Sequence, residues 1–595
     1  MPDLQSIPPG MIMMFGALFL PLFPRTLQGW VALLLPVLSF AHLLTLNIAP
    51  PEVVNVMGLE LVPIRVDRLS LIFGYVFHIA GFMAALFALK VDNPIEHLAG
   101  MIYAGAAVAA AFCGDLLSLF IYWELTALSS VFLIWAPKIE DLIHKKDPEE
   151  RALNREASIH CGVRYLVIQV ASGVILLAGT MMYFQDTGAL LFNNFYEQGM
   201  SNASTVILWA FGIKAAFPFL HNWLQDAYPK ATYSGTVFLS AFTTKLAIYA
   251  LARGFAGFSF LIPIGCIMTL FPIFFAVIEN DLRKVLAYSL NNQLGFMVVG
   301  IGIGTELAIN GACAHAFAHI IYKGLLFMSM GAVLYRVGTT KASELGGLHR
   351  TMPWTTTFCI IGAMSISAFP LMSGFAAKSV IASAAGEYAP AIVTFVLLFA
   401  SAGVMEHSGI KIPFFAFFAH DSGKRPEEAP WNMIAAMALA AILCIAIGVY
   451  PKALYQLLPY QEVVYHGATI SMLDYTPYDV THVVTQLELL LFAALAFAFL
   501  MRTGVYPAEE RAVNLDFDWV YRRLVPKVVK ESLQFGRELQ GVLTGPVQVR
   551  FNKVKESALT VLDPEQKILG RTVNSGHGAL WASILLSVYL VLYYF

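Results

Sequence analysis

Charge is what this 595-residue chain has least of. Lys, Arg, Asp and Glu together make up 13% of it, against about 25% in an average soluble domain. Hydrophobic residues make up 58%, which excludes an ordinary soluble fold and indicates a polytopic membrane protein. A net charge of −2 offers no basic surface for nucleic acid or another polyanion. The six cysteines, Cys113, Cys161, Cys266, Cys313, Cys359 and Cys444, lie scattered in apolar stretches with no CxxC pair. Neither a metal site, an iron–sulfur centre nor a disulfide framework is indicated, and small core packing is their expected role. A phosphate-binding loop is missing too: Gly300, Gly302 and Gly304 lie in an apolar helix end without a preceding strand. With no haem motif either, no cofactor is expected, and any redox or nucleotide chemistry that drives the protein lies elsewhere. Asp3 and the absence of basic residues before the first apolar run predict a retained first helix rather than a cleaved signal peptide.

What is abundant is apolar sequence in runs near the length that crosses a bilayer. Runs at roughly 10–23, 29–48, 67–90, 98–112, 115–137, 159–184, 203–228, 232–254, 260–278, 283–303, 307–336, 354–386, 388–413, 431–450, 484–502 and 577–595 predict an all-α membrane protein of about 14–16 transmembrane helices. Basic residues gather in alternate loops. Lys138, Lys145, Lys146, Arg151 and Arg155, then Lys230, Arg283 and Lys284, Arg336, Lys341 and Arg350, and Lys424 and Arg425 all fall on one side, which the positive-inside rule makes cytoplasmic. Both termini then face outward. The loop 185–202 has no Lys or Arg, as an outer loop should, whereas Arg65, Arg68 and Arg253 fall outside against the rule. From Arg502 to Gly576, Arg522, Arg523, Lys527, Lys530, Glu531, Arg537 and Glu538 interleave with apolar residues. That pattern reads as an amphipathic helix on the cytoplasmic surface, interrupted near Gly545 and Pro546, or as a solvated linker tethering one more helix.

Two apolar runs carry a lysine and a helix breaker. Lys214 precedes Pro218 by four residues, and Pro370 and Gly374 precede Lys378; each run is expected to break within the membrane. Each is followed by a run with its own lysine, Lys245 and Lys411. Lys378 lies 164 positions after Lys214, and Lys411 lies 166 after Lys245. Five spans fit that offset, an odd number, so the spacing predicts two five-helix repeats of inverted topology. The expected organisation is N-terminal helices over 1–97, repeats over 98–254 and 255–418, C-terminal helices over 419–502, and the amphipathic segment with a last helix over 503–595.

An ionisable side chain at bilayer depth costs roughly 2.5–3.5 kcal/mol on insertion scales, so each marks a candidate site. Glu124 stands in an apolar helix either as a structural carboxylate or, more sharply, as the partner of Lys214. Lys245 has no local carboxylate, and burial disfavours its charged form. His315, His319 and Lys323, spaced by four and four, stack on one helix face as a relay would. The bland alternatives are core histidines, or metal ligation for which no third ligand is apparent. Ser289, Asn291, Asn292 and Gln293 could supply hydrogen bonds or hold water. Arg164 is either a relay group or an interfacial anchor.

GDLLSLFIYWE, KAAFPFLHNWLQDAYP, NDLRKVLAYSLNNQLGFM, HAFAHIIYKGLLFMSMGAVLY and PLMSGFAAKS, in that order between about residues 60 and 450, resemble the proton-translocating antiporter-like family. That family holds the Mrp-type Na+/H+ antiporter subunits and the large membrane subunits of complex I and membrane-bound hydrogenases. The resemblance implies Glu124 and Lys214 as an ion pair, Lys245 as the central lysine, His315 and His319 as connecting histidines and Lys378 as the terminal lysine. The later segments IKIPFFAFFAHDSGKRPEEAPWNM, IGVYPKALY and DFDWVYRRL are most similar to the D-type member of the Mrp set. Gln225, Leu371 and Arg164 depart from the family pattern, and an arginine does not readily release its proton. The expected function is a proton-translocating, non-enzymatic subunit of a Na+/proton antiporter in a bacterial inner membrane, partnered by other membrane subunits. The alternatives are a non-pumping scaffold and a redox-driven pump subunit.

Overall fold

In the computed structural model, residues 7–144, 147–506, 514, 516–543, 555–556 and 581–589 are described. They form two compact units, one ending at Asp516 and one beginning at Phe517. Among the described residues of the first unit, ten helices are long and apolar enough to cross a membrane. The remaining expected spans are also helices, but short, polar or broken. They are Met11–Leu18, Pro94–Ala111, Leu282–Ile303 and the two interrupted runs. Two small antiparallel hairpins, Val54–Leu61 and Glu462–Ser471, complete the unit.

Side-chain caps explain several helix starts. Asp67 and Ser70 form a reciprocal capping box at Arg68–Phe87, and Ser201 and Ser204 another at Asn202–Lys214. Asp115 accepts from Ser118 N at 2.7 Å, opening Leu116–Trp135. Helices Leu261–Ile278 and Leu282–Ile303 pack backbone to backbone where Gly265 and Gly295 face each other. A Cβ on Gly295 would meet the Gly265 carbonyl oxygen at 2.6 Å.

One boundary differs from expectation. The helix expected from about 159 begins at Pro148 and runs 40 residues to Thr187, roughly 60 Å at 1.5 Å per residue. Arg151 and Arg155, expected in a loop, therefore lie on its first turns. Pro148 at the first helical position and Glu149 and Glu150 in the first turn favour this early start. Lys145 and Lys146 lie outside the described residues.

Two of the three outer arginines are paired with one carboxylate. Arg253 donates to both carboxylate oxygens of Asp67 at 2.8 Å, and Arg65 lies 3.1 Å from the same carboxylate. Burial pushes the Asp67 carboxyl up, but Arg253 and Arg65 together hold it below its ordinary value. The cysteines meet their packing expectation: five of the six are buried, and all are free.

The second unit contains the helix Val525–Leu543. Asp518 pairs with Arg522 at 3.0 Å and Lys527 with Glu531 at 3.9 Å, each one turn apart, while Val525, Val528 and Val529 are exposed. The expected interruption near Gly545 and Pro546 lies outside the described residues, as does most of the last span, of which 581–589 is helical.

Candidate functional site: a buried file of lysines and histidines

Both interrupted runs break where their prolines stand. The first comprises Asn202–Lys214 and Asn222–Ala227, the second Pro353–Ile366 and Ser373–Tyr388. Ala216 and Phe219 in one break and Ala368 and Leu371 in the other have left-handed backbone, φ 61° and 70° against 56° and 70°. These pairs lie 152 positions apart, not 164, so Lys214 and Lys378 are not equivalent. Lys214 ends the arm before its break, whereas Lys378 lies on the arm after. The residue four before Pro370 is Ile366, and Lys378 Nζ donates to its carbonyl at 2.8 Å.

Lys214, Lys245, His315, His319, Lys323 and Lys411 are fully buried, and Lys378 is 6% exposed. Lys214 Nζ donates to Trp123 O at 2.5 Å and Thr126 Oγ1 at 3.1 Å and lies 4.4 Å from the Trp123 ring centre. The expected direct ion pair with Glu124 is not formed. Successive residues of a helix point about 100° apart, so the lysine that meets the Trp123 face does not meet its neighbour. The Glu124 carboxylate instead lies over Gly173, where a Cβ would collide with Oε1, and Oε1 has no hydrogen-bond partner. The two charges still interact through space.

Lys245 follows a helix interruption that has no proline. Gly235–Ala241 and Thr243–Gly254 are separated at Phe242 (φ −106°, ψ −66°). Thr243 N–H donates to Tyr103 Oη at 2.9 Å in place of a helical carbonyl, and Lys245 Nζ donates to Ser240 O at 2.5 Å. Tyr103 thus holds open a kink that presents a backbone acceptor to the lysine.

Beyond it, the helix Glu306–Val337 carries the predicted stripe. His315 Nε2 lies 2.9 Å from Tyr322 Oη and 3.2 Å from Gln293 Oε1. Both ring nitrogens of His319 and the Lys323 ammonium have no hydrogen-bond partner. The His315 and His319 rings are 6.1 Å apart. Lys245 is the charge acting most strongly on His319, and Lys378 on His315. Phe296 separates the last pair, 5.8 Å from the His315 ring and 5.1 Å from Lys378 Nζ. The structure therefore brings Lys245, His319, His315 and Lys378 into one file. Lys411 stands apart from it, donating to Val277 O at 2.6 Å and Glu279 O at 2.8 Å, at the carbonyl-rich end of Leu261–Ile278 that favours a cation.

The expected hydrogen-bonding cluster is there. Gln293 joins His315, Asn292 donates to Thr269 O, Ser289 accepts from Ser408 at 2.7 Å, and both amide atoms of Asn291 are buried without partners. Arg164 is a tie: Nη2 lies 2.7 Å from Asp226, fastening the long helix to the second arm of the first broken run. Sequence reasoning missed Asp226, Tyr103 and His407. It also missed His221, which lies in the first break 2.7 Å from Asp516.

Residues 113–405 match the sequence profile of the family described as NADH:quinone oxidoreductase/Mrp antiporter, transmembrane. The match covers just under half of the chain. Hydrogenase-4 component B of Escherichia coli is 27% identical over 431 residues, covering 64% of this chain and 62% of the relative. The A-type component of the Na+/H+ antiporter of Alkalihalophilus pseudofirmus is 28% identical over 494 residues, covering 72% and 58%. The chain thus spans about three fifths of these curated relatives, and the antiporter relative is of the A type rather than the D type. Its fold resembles a chain of the Mrp complex from Dietzia (TM-score 0.73, 21% identity, covering 93% of this chain and 62% of that one). It also resembles one of respiratory complex I from Thermus thermophilus (TM-score 0.62, 20% identity, covering 76% and 99%).

Proposed function

We propose that this antiporter-family protein is the proton-translocating subunit of a multisubunit monovalent cation/proton antiporter, with Na+ as the cation, in a bacterial inner membrane. The observation that carries this reading is the file of buried lysines and histidines. Lys214, Lys245 and Lys378 each bind backbone carbonyls rather than a carboxylate, and His319 and Lys323 keep unpartnered nitrogens. A structural charge is normally neutralised where it is buried. Groups held this loosely gain or lose a proton without breaking an ion pair.

In this reading Glu124 gates Lys214, moving towards it or back over Gly173. With Glu124 withdrawn, the Lys214 charge repels or feeds Lys245. A proton then passes along His319 and His315 to Lys378, which exchanges with the opposite side. Each step moves one proton from an ammonium or imidazolium to a neutral neighbour and leaves net charge unchanged. No covalent change is made in a substrate.

The second reading, a redox-driven pump subunit, is supported by the likeness to hydrogenase-4 component B and by the fold shared with a complex I chain. The intact set of membrane charges speaks against a non-pumping scaffold. Gentle purification of the assembled complex separates the readings, followed by measurement of Na+-dependent proton movement in vesicles. Partners without cofactors and Na+-dependent movement support the antiporter; cofactor-bearing partners and Na+-independent movement overturn it in favour of redox drive.

A further inference from the structure

His407 is a buried titratable group that the file above does not use. It lies in a π-helical stretch, Met405–Ile410, inside the span Ala391–Phe418, and Lys411 follows at once. Inserted π turns are uncommon and recur at functional sites. The ring is fully buried, and its two nitrogens have different surroundings. Nδ1 lies 2.9 Å from Ser408 Oγ. That hydroxyl donates its own proton to Ser289 Oγ at 2.7 Å, so it can only accept from the imidazole. The Ser408–Ser289 bond therefore keeps the ring proton on Nδ1 and leaves the lone pair on Nε2, which has no hydrogen-bond partner.

The charged groups that act on His407 are Lys323 first, then Lys411 and Lys378; Glu406 precedes it in the chain and interacts with Lys411. Lys323 ends the central stripe with an unpartnered ammonium. Lys411 sits against the carbonyls of Ala276, Val277 and Glu279, and Glu279 pairs at 2.7 Å with Lys284 on the first turn of Leu282–Ile303. An unpartnered imidazole nitrogen thus stands four residues before Lys411 in the same span, tied through Ser408 to Ser289 and within electrostatic reach of Lys323.

We propose that His407 is a proton-carrying residue that joins Lys323 to Lys411, giving the file a branch towards the Glu279–Lys284 pair. Nε2 of the neutral ring accepts a proton from one lysine, which becomes a neutral amine. The imidazolium then gives that proton to the other lysine, and the ring is restored with its Nδ1 proton still on Ser408. Nothing is oxidised or reduced, and no group leaves. This inference rests on the relay reading above.

The test uses the assembled complex in sealed membrane vesicles, with proton movement followed by a pH-sensitive dye. His407→Gln keeps a donor for Ser408 but cannot carry a proton; it is expected to slow transport roughly 10²-fold, the range of a positioned acid–base group, with assembly unchanged. His407→Glu, which restores a titratable group among the lysines, is expected to recover part of the rate, an outcome a merely structural role would not give. Ser289→Ala, which frees the Ser408 hydroxyl to turn, is expected to cost a few-fold and shift the pH profile. Where His407→Gln fails to assemble, Ser289→Ala carries the test, and an unaltered rate and profile overturn the proposal. His407→Gln at parental rate while Lys245→Ala is inactive overturns the branch and leaves the relay standing. Parental rates in both variants overturn the relay itself.

Discussion

The two broken helices have the same backbone and opposite charge placement. Each breaks at a proline between two left-handed residues, with φ values matching within about 5°. The first places its lysine on the arm before the break, against Trp123 and Thr126; the second places it on the arm after, and that lysine reaches back to the carbonyl at the position Lys214 occupies in the first. The irregularities that follow are also alike. Phe242 before Lys245 and Ile410 before Lys411 have φ −106° and −107°. Repetition therefore supplied the breaks, while the groups set into them differ, and the proposed relay makes one a gate and the other a terminus.

The comparison is broken most severely by removing the charges of the first half. Glu124→Gln and Lys214→Ala are each expected to lower proton movement by 10²-fold or more, the scale of a lost acid–base group, with the complex assembled. Moving the second lysine to the first half's position, by Lys378→Ala with Ile366→Lys, is expected to leave transport as low as Lys378→Ala alone. Full recovery would mean that the arm does not matter.

Gly173→Ala is the next effect in size. Its Cβ displaces the Glu124 carboxylate, and transport is expected to fall about tenfold by dye assay, with Gly173→Ser no better. Because Gly173 has no counterpart role at Lys378, an equal loss from crowding the second break would contradict the division into gate and terminus.

The repeat, most spans and the charged file were legible because each rests on a local signal: a hydrophobic run, a proline, or a charge where none is tolerated. The interruptions at Phe242 and Met405–Ile410 were not, since neither contains proline. They are held by tertiary partners, Tyr103 for one and the Ser408–Ser289 contact for the other, which no local pattern encodes. The offset of 164 misled for a related reason. Two lysines with matching surroundings in sequence sit on different arms, and only the backbone of the breaks, 152 positions apart, shows which residues correspond. His407 carried a usable signal, a histidine four residues before Lys411 in an apolar run, but a lone histidine there is more often core.

The smallest effect concerns the frame rather than the file. Asp67 is held below its ordinary carboxylate value by Arg253 and Arg65, so its contribution to stability is present above about pH 4, the unfolded value, and is lost as pH falls through its depressed folded value. Asp67→Asn is expected to lower stability at neutral pH by about 1–2 kcal/mol, with the difference from the parent closing at acid pH in thermal melts. A constant difference across pH would show that the Arg253 pair is not its source.

The most direct measurement of the relay is Na+-dependent proton movement in sealed inverted vesicles, comparing the parent complex with Lys245→Ala at matched protein content. Lys245 is shared by every route drawn from Lys214 to Lys378, so its loss is predicted to abolish proton movement while the complex remains intact. Movement at the parental rate in the Lys245→Ala complex would contradict the relay.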